Sequence, residues 1–440
     1  MKILLAAPAL LLTIAVYADA QAPAPAGMAA IVESPASRVN EALPSWLRFG
    51  GEYRARFEGH SGAGFKDHAS DDYLLSRLKL QVTIQPTKWL KFFGEGMDAR
   101  VFEKSPALPP YQNTWDMRQA YGELGDFANG IGLRVGRQEL NYGEQRLIGA
   151  SAWSNTERVF DAAVLGIHEH GVRADLFTSS VVVPATGMWD HHAQSHNLHG
   201  IYAGIDRLGP RAVIEPYILW RVQHGLREES GAAGKLSQKI GGARIAGAKL
   251  PGGFDYSIEI VREWGSLGSD NISTWAGHWT AGKTFSATFT PRVFAEYNYA
   301  QGDKNPTDGA RGAFDMLFPS GHGKWGVADQ VGWRNLKHVR VGLEMKPRKN
   351  VSLAFGYNDF HLASATDFLY ATSGAATFRS PTGAAGTHVG QELDVTGAWT
   401  FAKAFSAALG VGHLFPGRFL KTVTPGHSFT APYLTFTYKF

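Results

Sequence analysis

The 440-residue chain has no cysteine, which excludes a disulfide scaffold, thiolate metal sites and cysteine nucleophiles together. Beyond its first twenty residues it has no apolar run approaching the roughly 20 residues that a bilayer-crossing helix needs, so a conventional inner-membrane protein is excluded. A block of one charge is missing too. The formal net charge is +4, with Lys and Arg spread over the whole length, and no nucleic-acid partner is expected. Gly-x-Ser-x-Gly is absent, and no carboxylate pair stands out from the several acidic strand faces as glycosidase machinery. No catalytic residue, metal or cofactor is therefore assigned, and the chain is expected not to be an enzyme. With 44% hydrophobic and 12% aromatic residues, it is too apolar for a disordered protein and long enough to bury a large core.

The N-terminus carries a processing signal. Lys2 precedes the apolar run Ile3 to Val16 and then Ala18-Asp19-Ala20, the small-x-small pattern of a signal peptidase site, so residues 1–20 read as a cleaved signal peptide. The run is about 14 residues, short for a transmembrane anchor. Residues 21–45, rich in Ala and Pro, read as a flexible periplasmic lead-in. Residues 46–440 form the remaining domain.

That domain alternates. Leu47, Phe49, Tyr53, Ala55 and Phe57 share one parity, and Arg48, Glu52, Arg54 and Arg56 the other, the period of a strand with one oily and one charged face. Val339, Val341, Leu343 and Met345 against Arg340, Glu344 and Lys346 repeat it, as do Leu393, Val395 and Trp399 against Glu392, Asp394 and Thr396. Between such segments, short separators take turns with long ones. Gln85 to Lys88, Asp126 to Gly130, His168 to His170, Arg207 to Arg211, Leu250 to Gly253, Thr284 to Phe289, Pro347 to Asn350 and Phe401 to Ala404 are short. Gly59 to Asp71, Phe102 to Thr114, Asn141 to Glu157, Val181 to Ser195, His224 to Gln238, Gly265 to Asn271, Gly302 to Leu336, Ala363 to Thr387 and Leu414 to Phe429 are expected to be long loops. Tight turns at one end and long loops at the other predict an all-β transmembrane antiparallel barrel in the outer membrane of a Gram-negative-type bacterium, with periplasmic turns and extracellular loops. Roughly 395 residues at about 22 per strand and connection give about 18 strands. A barrel that wide holds water, so a charged inner face is solvated. The last strand alternates Leu434, Phe436, Tyr438 and the terminal Phe440 with Thr435, Thr437 and Lys439, an aromatic end suited to insertion by the barrel assembly machinery. Trp46, Trp89, Trp399 and Phe405 fit an interfacial girdle against outer-membrane lipid.

Two clusters are more specific. After Ile131 to Val135 come Gly136-Arg137-Gln138, Gly143, Arg146, Gly149, Trp153 and Arg158-Val159-Phe160-Asp161. The second runs Phe314-Asp315-Met316-Leu317-Phe318-Pro319, His322, Trp325-Gly326, Asp329-Gln330 and Gly332-Trp333-Arg334-Asn335. At these residues, and over Trp46 to Phe440, the chain resembles the alginate export family of outer-membrane barrels. Phe318 and Trp325 depart from the Tyr expected there. The resemblance implies eighteen strands, a charged pore and transport of an acidic polysaccharide.

Parity places Arg48, Glu52, Arg54, Arg56, Arg77, Lys79, Arg134, Arg173, Arg221, Arg244, Arg292, Glu296, Arg340 and Glu344 along the solute path. Lys346, Lys439, Asp175, Glu215, Asp255, Glu259, Glu392 and Asp394 join them, leaving an excess of about four cations, which favours anions by the logic of charged pore rings. Bidentate guanidinium contacts suit uronate carboxylates. Arg146, Trp153, Arg158, Asp161, Asp315, His322, Asp329, Trp333 and Arg334 are expected in loops that constrict the pore, with the tryptophans pinning loops inward. The alternative for the loop charges is anchoring ion pairs, and for the wall a ladder of neutralised pairs. Parity puts Arg137 outside, at a bulge or above the membrane. His191, His192, His196 and His199 lack metal-ligand spacing, and Asp303, Asn305, Asp308 and Gly309 lack the downstream Glu of a calcium loop. The expected function is a diffusion channel for acidic oligo- or polysaccharide or smaller anions. A general porin for small organic solutes is the alternative, and a barrel enzyme acting on lipid or sugar a more distant one.

Overall fold

The computed structural model describes residues 35–440 except 207–211 and 249. The expected signal peptide, most of the lead-in and the turn at Arg207 to Arg211 lie outside the described residues. Where a flexible segment was expected, Pro35–Ala42 forms an α-helix. Its Asn40 side chain pairs with both backbone polar atoms of Phe49, at 2.7 and 2.8 Å, so the helix is tied to the start of the first strand.

Eighteen antiparallel strands close into a barrel. The first, Leu47–Ser61, pairs with Ser70–Thr87 on one side and with the last, Phe429–Lys439, on the other. Closure leaves no open edge, the condition for burying backbone amides and carbonyls in hydrocarbon. At the seam Gly51 and Phe440 exchange backbone hydrogen bonds of 2.8 and 3.0 Å. A Cβ at Gly51 would lie 2.5 Å from both the Phe440 ring and the Lys79 carbonyl oxygen, so the chain end seats only against glycine.

Alternation sorts the faces as the pleat requires. Phe57, Ile218, Val341 and Leu393 are exposed on the outer surface, whereas their neighbours Arg56, Glu215 and Glu392 are buried inside. Trp46, Trp89 and Trp399 stand exposed towards the short-turn end.

At that end two residues suffice to join Ser70–Thr87 to Leu90–Phe102, Phe160–Glu169 to Val172–Val183, Leu336–Arg348 to Val351–Leu362, and His388–Ala402 to Phe405–Pro416. The opposite end holds the long connections 103–112, 139–159, 301–335, 363–387 and 417–428. Two expected loops there are strand instead. Phe254–Leu267 and Asp270–Thr284 run on to a two-residue turn where Gly265 to Asn271 was expected to be a loop, and Ala212–Arg227 and Ala233–Gly247 consume most of His224 to Gln238. The reason is local burial: Leu236, Leu267 and Ile272 pack together with Leu226, and Ala310–Arg311 adds a parallel edge to Asn271 and Ile272. A small apolar cap of this kind stabilises paired strands beyond the barrel wall.

Candidate functional site: a lumen lined by inward-folded loops

The loops 139–159 and 301–335 fold into the barrel and hold each other. Phe318 N–H donates to the Leu147 carbonyl at 2.8 Å, Gly149 N–H to the Phe318 carbonyl at 2.9 Å, and Ser320 N–H to the Gln145 carbonyl at 2.9 Å. Around these bonds Leu147, Ile148, Phe314, Phe318, Trp325, Trp333, Leu369 and Phe419 form a second apolar core inside the loop end of the barrel. Trp333 is fully buried and donates its indole N–H to the Tyr299 carbonyl at 3.0 Å. Burying apolar side chains of loops is what holds these segments inward in water.

Beneath them the first strands supply a basic cradle. Arg54 donates to the Ala152, Trp153 and Ser154 carbonyls and to Asn155 Oδ1, at 2.7 to 3.4 Å. Arg77 donates to the Ala152 and Ser154 carbonyls and pairs with Glu52 at 2.8 Å and Glu157 at 2.7 Å. Lys79 and Arg118 also reach Glu157, at 2.7 and 2.6 Å, and Arg118 joins Glu95 and Glu139. Burial pushes the Glu157 carboxyl up, but the charges of Arg118, Arg77 and Lys79 overcome it and hold it well below the usual carboxylate range. Arg56 pairs with Glu58 at 2.6 Å and lies 3.7 Å over the Trp153 ring. Trp153 stacks on His322 at 3.5 Å, and His322 pairs with Asp329 at 2.7 Å. Arg54, Arg56, Arg77 and Lys79 thus face inward but are engaged with the loop, where open water was expected.

Farther round the wall the cations are also paired. Arg146 meets Glu144 at 3.1 Å and Glu296 at 3.3 Å, Arg244 meets Glu215 at 2.5 Å and Glu144 at 3.1 Å, and Arg173 meets Glu215 at 3.4 Å. Arg134 pairs with Glu123, and Arg292 with Asp255 and Glu344. Arg221 holds the loop residue Asp315 at 2.5 Å. Burial raises the Asp315 carboxyl, yet Arg221 and Arg334 bring it below its ordinary value. Arg334 lies 4.3 Å over the Tyr370 ring, and Arg340 donates to the Gly323 carbonyl at 3.0 Å. Arg48 remains at the short-turn end, bonded to the Pro44 and Leu47 carbonyls. Arg137 and Asp161 pair at 2.8 Å on the outer parity in unbroken register, so neither lines the lumen and no bulge is needed.

The expected cationic excess shrinks, because Glu58, Glu95, Glu123 and Glu263 share the inner face as well. The pairing of Leu90–Phe102 with Asn113–Gly125 shifts register at Glu95/Gly96 and Met97/Ala99, so along Asn113–Gly125 the inward parity passes from Asp116 and Arg118 to Glu123, which hides Arg118 from a strict alternation. The four histidines diverge: His196 lies inside beside Arg221, whereas His199 contacts Thr178 and Trp220 outside. Asp303 and Asp308 accept backbone N–H groups of their own turns.

Arg158 sits in the wall of a cavity. Arg158 donates to the Gly149 and Pro319 carbonyls at 3.0 and 3.1 Å, and no carboxylate lies within ion-pair distance of it among the described residues. Burial alone pulls its guanidinium down to about 10, leaving it charged at neutral pH. It lines a cavity of about 610 Å³ together with Arg56, Tyr111, Trp153, His322, Asp329 and Tyr433, a size within the range of small-molecule sites.

A closed barrel of eighteen strands, apolar outside, charged inside and narrowed by its own loops, is an outer-membrane channel for solutes. The chain belongs to the alginate export family, whose profile matches residues 45–433. No curated protein matches it in sequence. Among solved structures it is similar to the outer membrane protein opdK of Pseudomonas aeruginosa, with 10% identity, 90% of this chain and 98% of that one covered, and a TM-score of 0.61. OccAB4 of Acinetobacter baumannii matches at 10% identity, with 90% and 98% covered and a TM-score of 0.58. OccK2 (OpdF) of P. aeruginosa, solved in complex with glucuronate, matches at 8% identity, with 89% and 96% covered and a TM-score of 0.59. At such identities the likeness is one of fold. Family and fold are those of channels, which are not enzymes.

Proposed function

We propose that this channel passes acidic saccharides or other small organic anions, and that Arg158 is the group in the loop-lined cavity that attracts their carboxylates. The observation that carries the reading is the contrast between Arg158 and the other lumen arginines described above. Most of those are matched by glutamates or aspartates, so their fields largely cancel beyond a few ångströms. Arg158 is bonded only to neutral carbonyls, and a half-buried cation without a counter-ion attracts one from solution. A carboxylate there is gripped by charge-assisted hydrogen bonds yet exchanges with water, as a conducting site requires. Arg54, Arg56, Arg77 and Lys79 act in this reading by holding the loop that presents Arg158. Acidic saccharide or small anion, outer-membrane lipid and the barrel assembly machinery are the partners it implies.

A narrower solute range, that of a porin for small organic molecules, is favoured by the apolar core of Leu147, Phe318, Trp325 and Trp333, which occupies much of the loop end. The glucuronate bound in the similar OccK2 structure is a uronate monomer and fits either version. Current block in a planar bilayer separates them. If the path takes polymer, uronate oligomers block at lower concentration than the monomer; if only the monomer blocks, the small-solute version holds. Equal, negligible block by uronates and by neutral sugars of the same size contradicts anion selection altogether.

A further inference from the structure

Three metal-ligating side chains meet outside the lumen, on the outer face of the wall. Asp359 and His361 lie two residues apart on Val351–Leu362, which puts them on the face that carries the exposed Phe355 and Tyr357. On the next strand the register shifts between Phe360 and His361, so that His388 comes opposite His361. The shift is built around Gly390, where a Cβ would lie 2.3 Å from the Phe415 carbonyl oxygen. A side chain at that position would force the strands apart, so glycine fixes the local geometry.

The three side chains already converge. Asp359 Oδ2 lies 3.2 Å from His361 Nε2, and Asp359 Oδ1 lies 3.2 Å from His388 Nε2. The two imidazole rings are 4.8 Å apart, and one ligand atom from each of the three residues lies within 4.8 Å of the others. All three are partly exposed, at the end of the strands next to the loop 363–387. We propose that Asp359, His361 and His388 form a divalent transition-metal site on the outer rim of the barrel, independent of solute passage. Two neutral imidazoles and one carboxylate suit Zn²⁺, Cu²⁺ or Ni²⁺, whereas Ca²⁺ and Mg²⁺ prefer all-oxygen shells. Three protein ligands leave at least one coordination position for water or an external donor. In the metal-free protein the carboxylate accepts the Nε2–H of each ring. Binding moves each ring to the Nδ1–H tautomer and gives the Nε2 lone pair to the ion.

The group that opposes the site is Lys337, cross-strand from His361 on the same face. It forms no ion pair with Asp359 among the described residues, so its charge weakens binding of a cation without blocking the ligands.

The test uses the untagged full-length protein in detergent, titrated with Zn²⁺ by calorimetry and with Cu²⁺ as a paramagnetic probe. The site predicts one bound equivalent and a Cu²⁺ spectrum with hyperfine coupling from two nitrogens. The pair H361A/H388A removes both signals, H191A/H192A keeps both, and K337M tightens Zn²⁺ binding. Retained heat-modifiable mobility in electrophoresis shows that each variant is still a folded barrel. An unchanged equivalent in H361A/H388A, loss of it in H191A/H192A, or no bound equivalent in the native protein overturns the proposal.

Discussion

At the scale of single residues, Glu157 fixes the position of the loop 139–159. It meets Arg77, Lys79 and Arg118 at 2.6 to 2.8 Å, so Glu157→Gln leaves three buried cations short of their shared counter-charge. Breaking a buried pair from one side costs about 3–5 kcal/mol. The expected result is a lower unfolding temperature and a noisier open channel as the loop loosens. Glu157→Asp, which keeps the charge, moves both less. The pH dependence has a definite sign. A carboxyl whose folded pKa is depressed contributes its full stability above its unfolded value, 4.5, and loses it progressively as the pH falls from there to the lower folded value, while the folded group itself stays ionised until that lower value is reached. Acidification into the ordinary carboxylate range therefore leaves the loop anchored, and open-channel noise should stay flat there; a sharp rise would contradict the ion-pair account.

At the scale of elements, the seam and the loops make separate predictions. Phe440 exchanges two backbone hydrogen bonds with Gly51 and packs on it. Deleting Phe440 removes the last pairing of the closing strand, and the yield of assembled protein in the outer membrane should fall. Normal yield would show that closure and recognition do not use this residue. Loop orientation is tested with cysteines at Thr307, exposed in the loop 301–335, and at Lys349, exposed in a two-residue turn. In whole cells an impermeant reagent should label Thr307→Cys and spare Lys349→Cys; the reverse inverts the barrel. These elements were unequally legible in the sequence. Arg54, Glu215 and Glu392 alternate with apolar neighbours, so their strands and faces could be read directly. Gly265 and Asn271 carry the composition of a loop, and only the distant packing of Leu226 against Leu236, Leu267 and Ile272 makes them strand.

At the scale of the molecule, the closed barrel follows from alternation repeated along the chain, whereas the interior follows from contacts that no local pattern encodes. Arg54 and Asn155 are 101 positions apart, and Gln145 and Ser320 are 175 apart. Leu147, Phe318 and Trp325 lie in segments that read as loops, and only enclosure by the wall turns them into a core. The same enclosure engages Arg54 and Arg56 with loop carbonyls and a glutamate and leaves Arg158 in the cavity wall with carbonyl partners only. In the proposed reading charge selection is a local property of that cavity and owes little to the total wall charge.

The most direct measurement is the reversal potential of single channels in a salt gradient, compared between the native protein, Arg158→Gln and Arg158→Lys. The account predicts anion preference in the native channel, a loss of most of it in Arg158→Gln and retention in Arg158→Lys. The difference should be large near 0.1 M salt, where the Debye length is about 10 Å, and should fade near 1 M, where it is about 3 Å. Identical reversal potentials for the native and Arg158→Gln channels at low salt would contradict the claim that this arginine selects the solute.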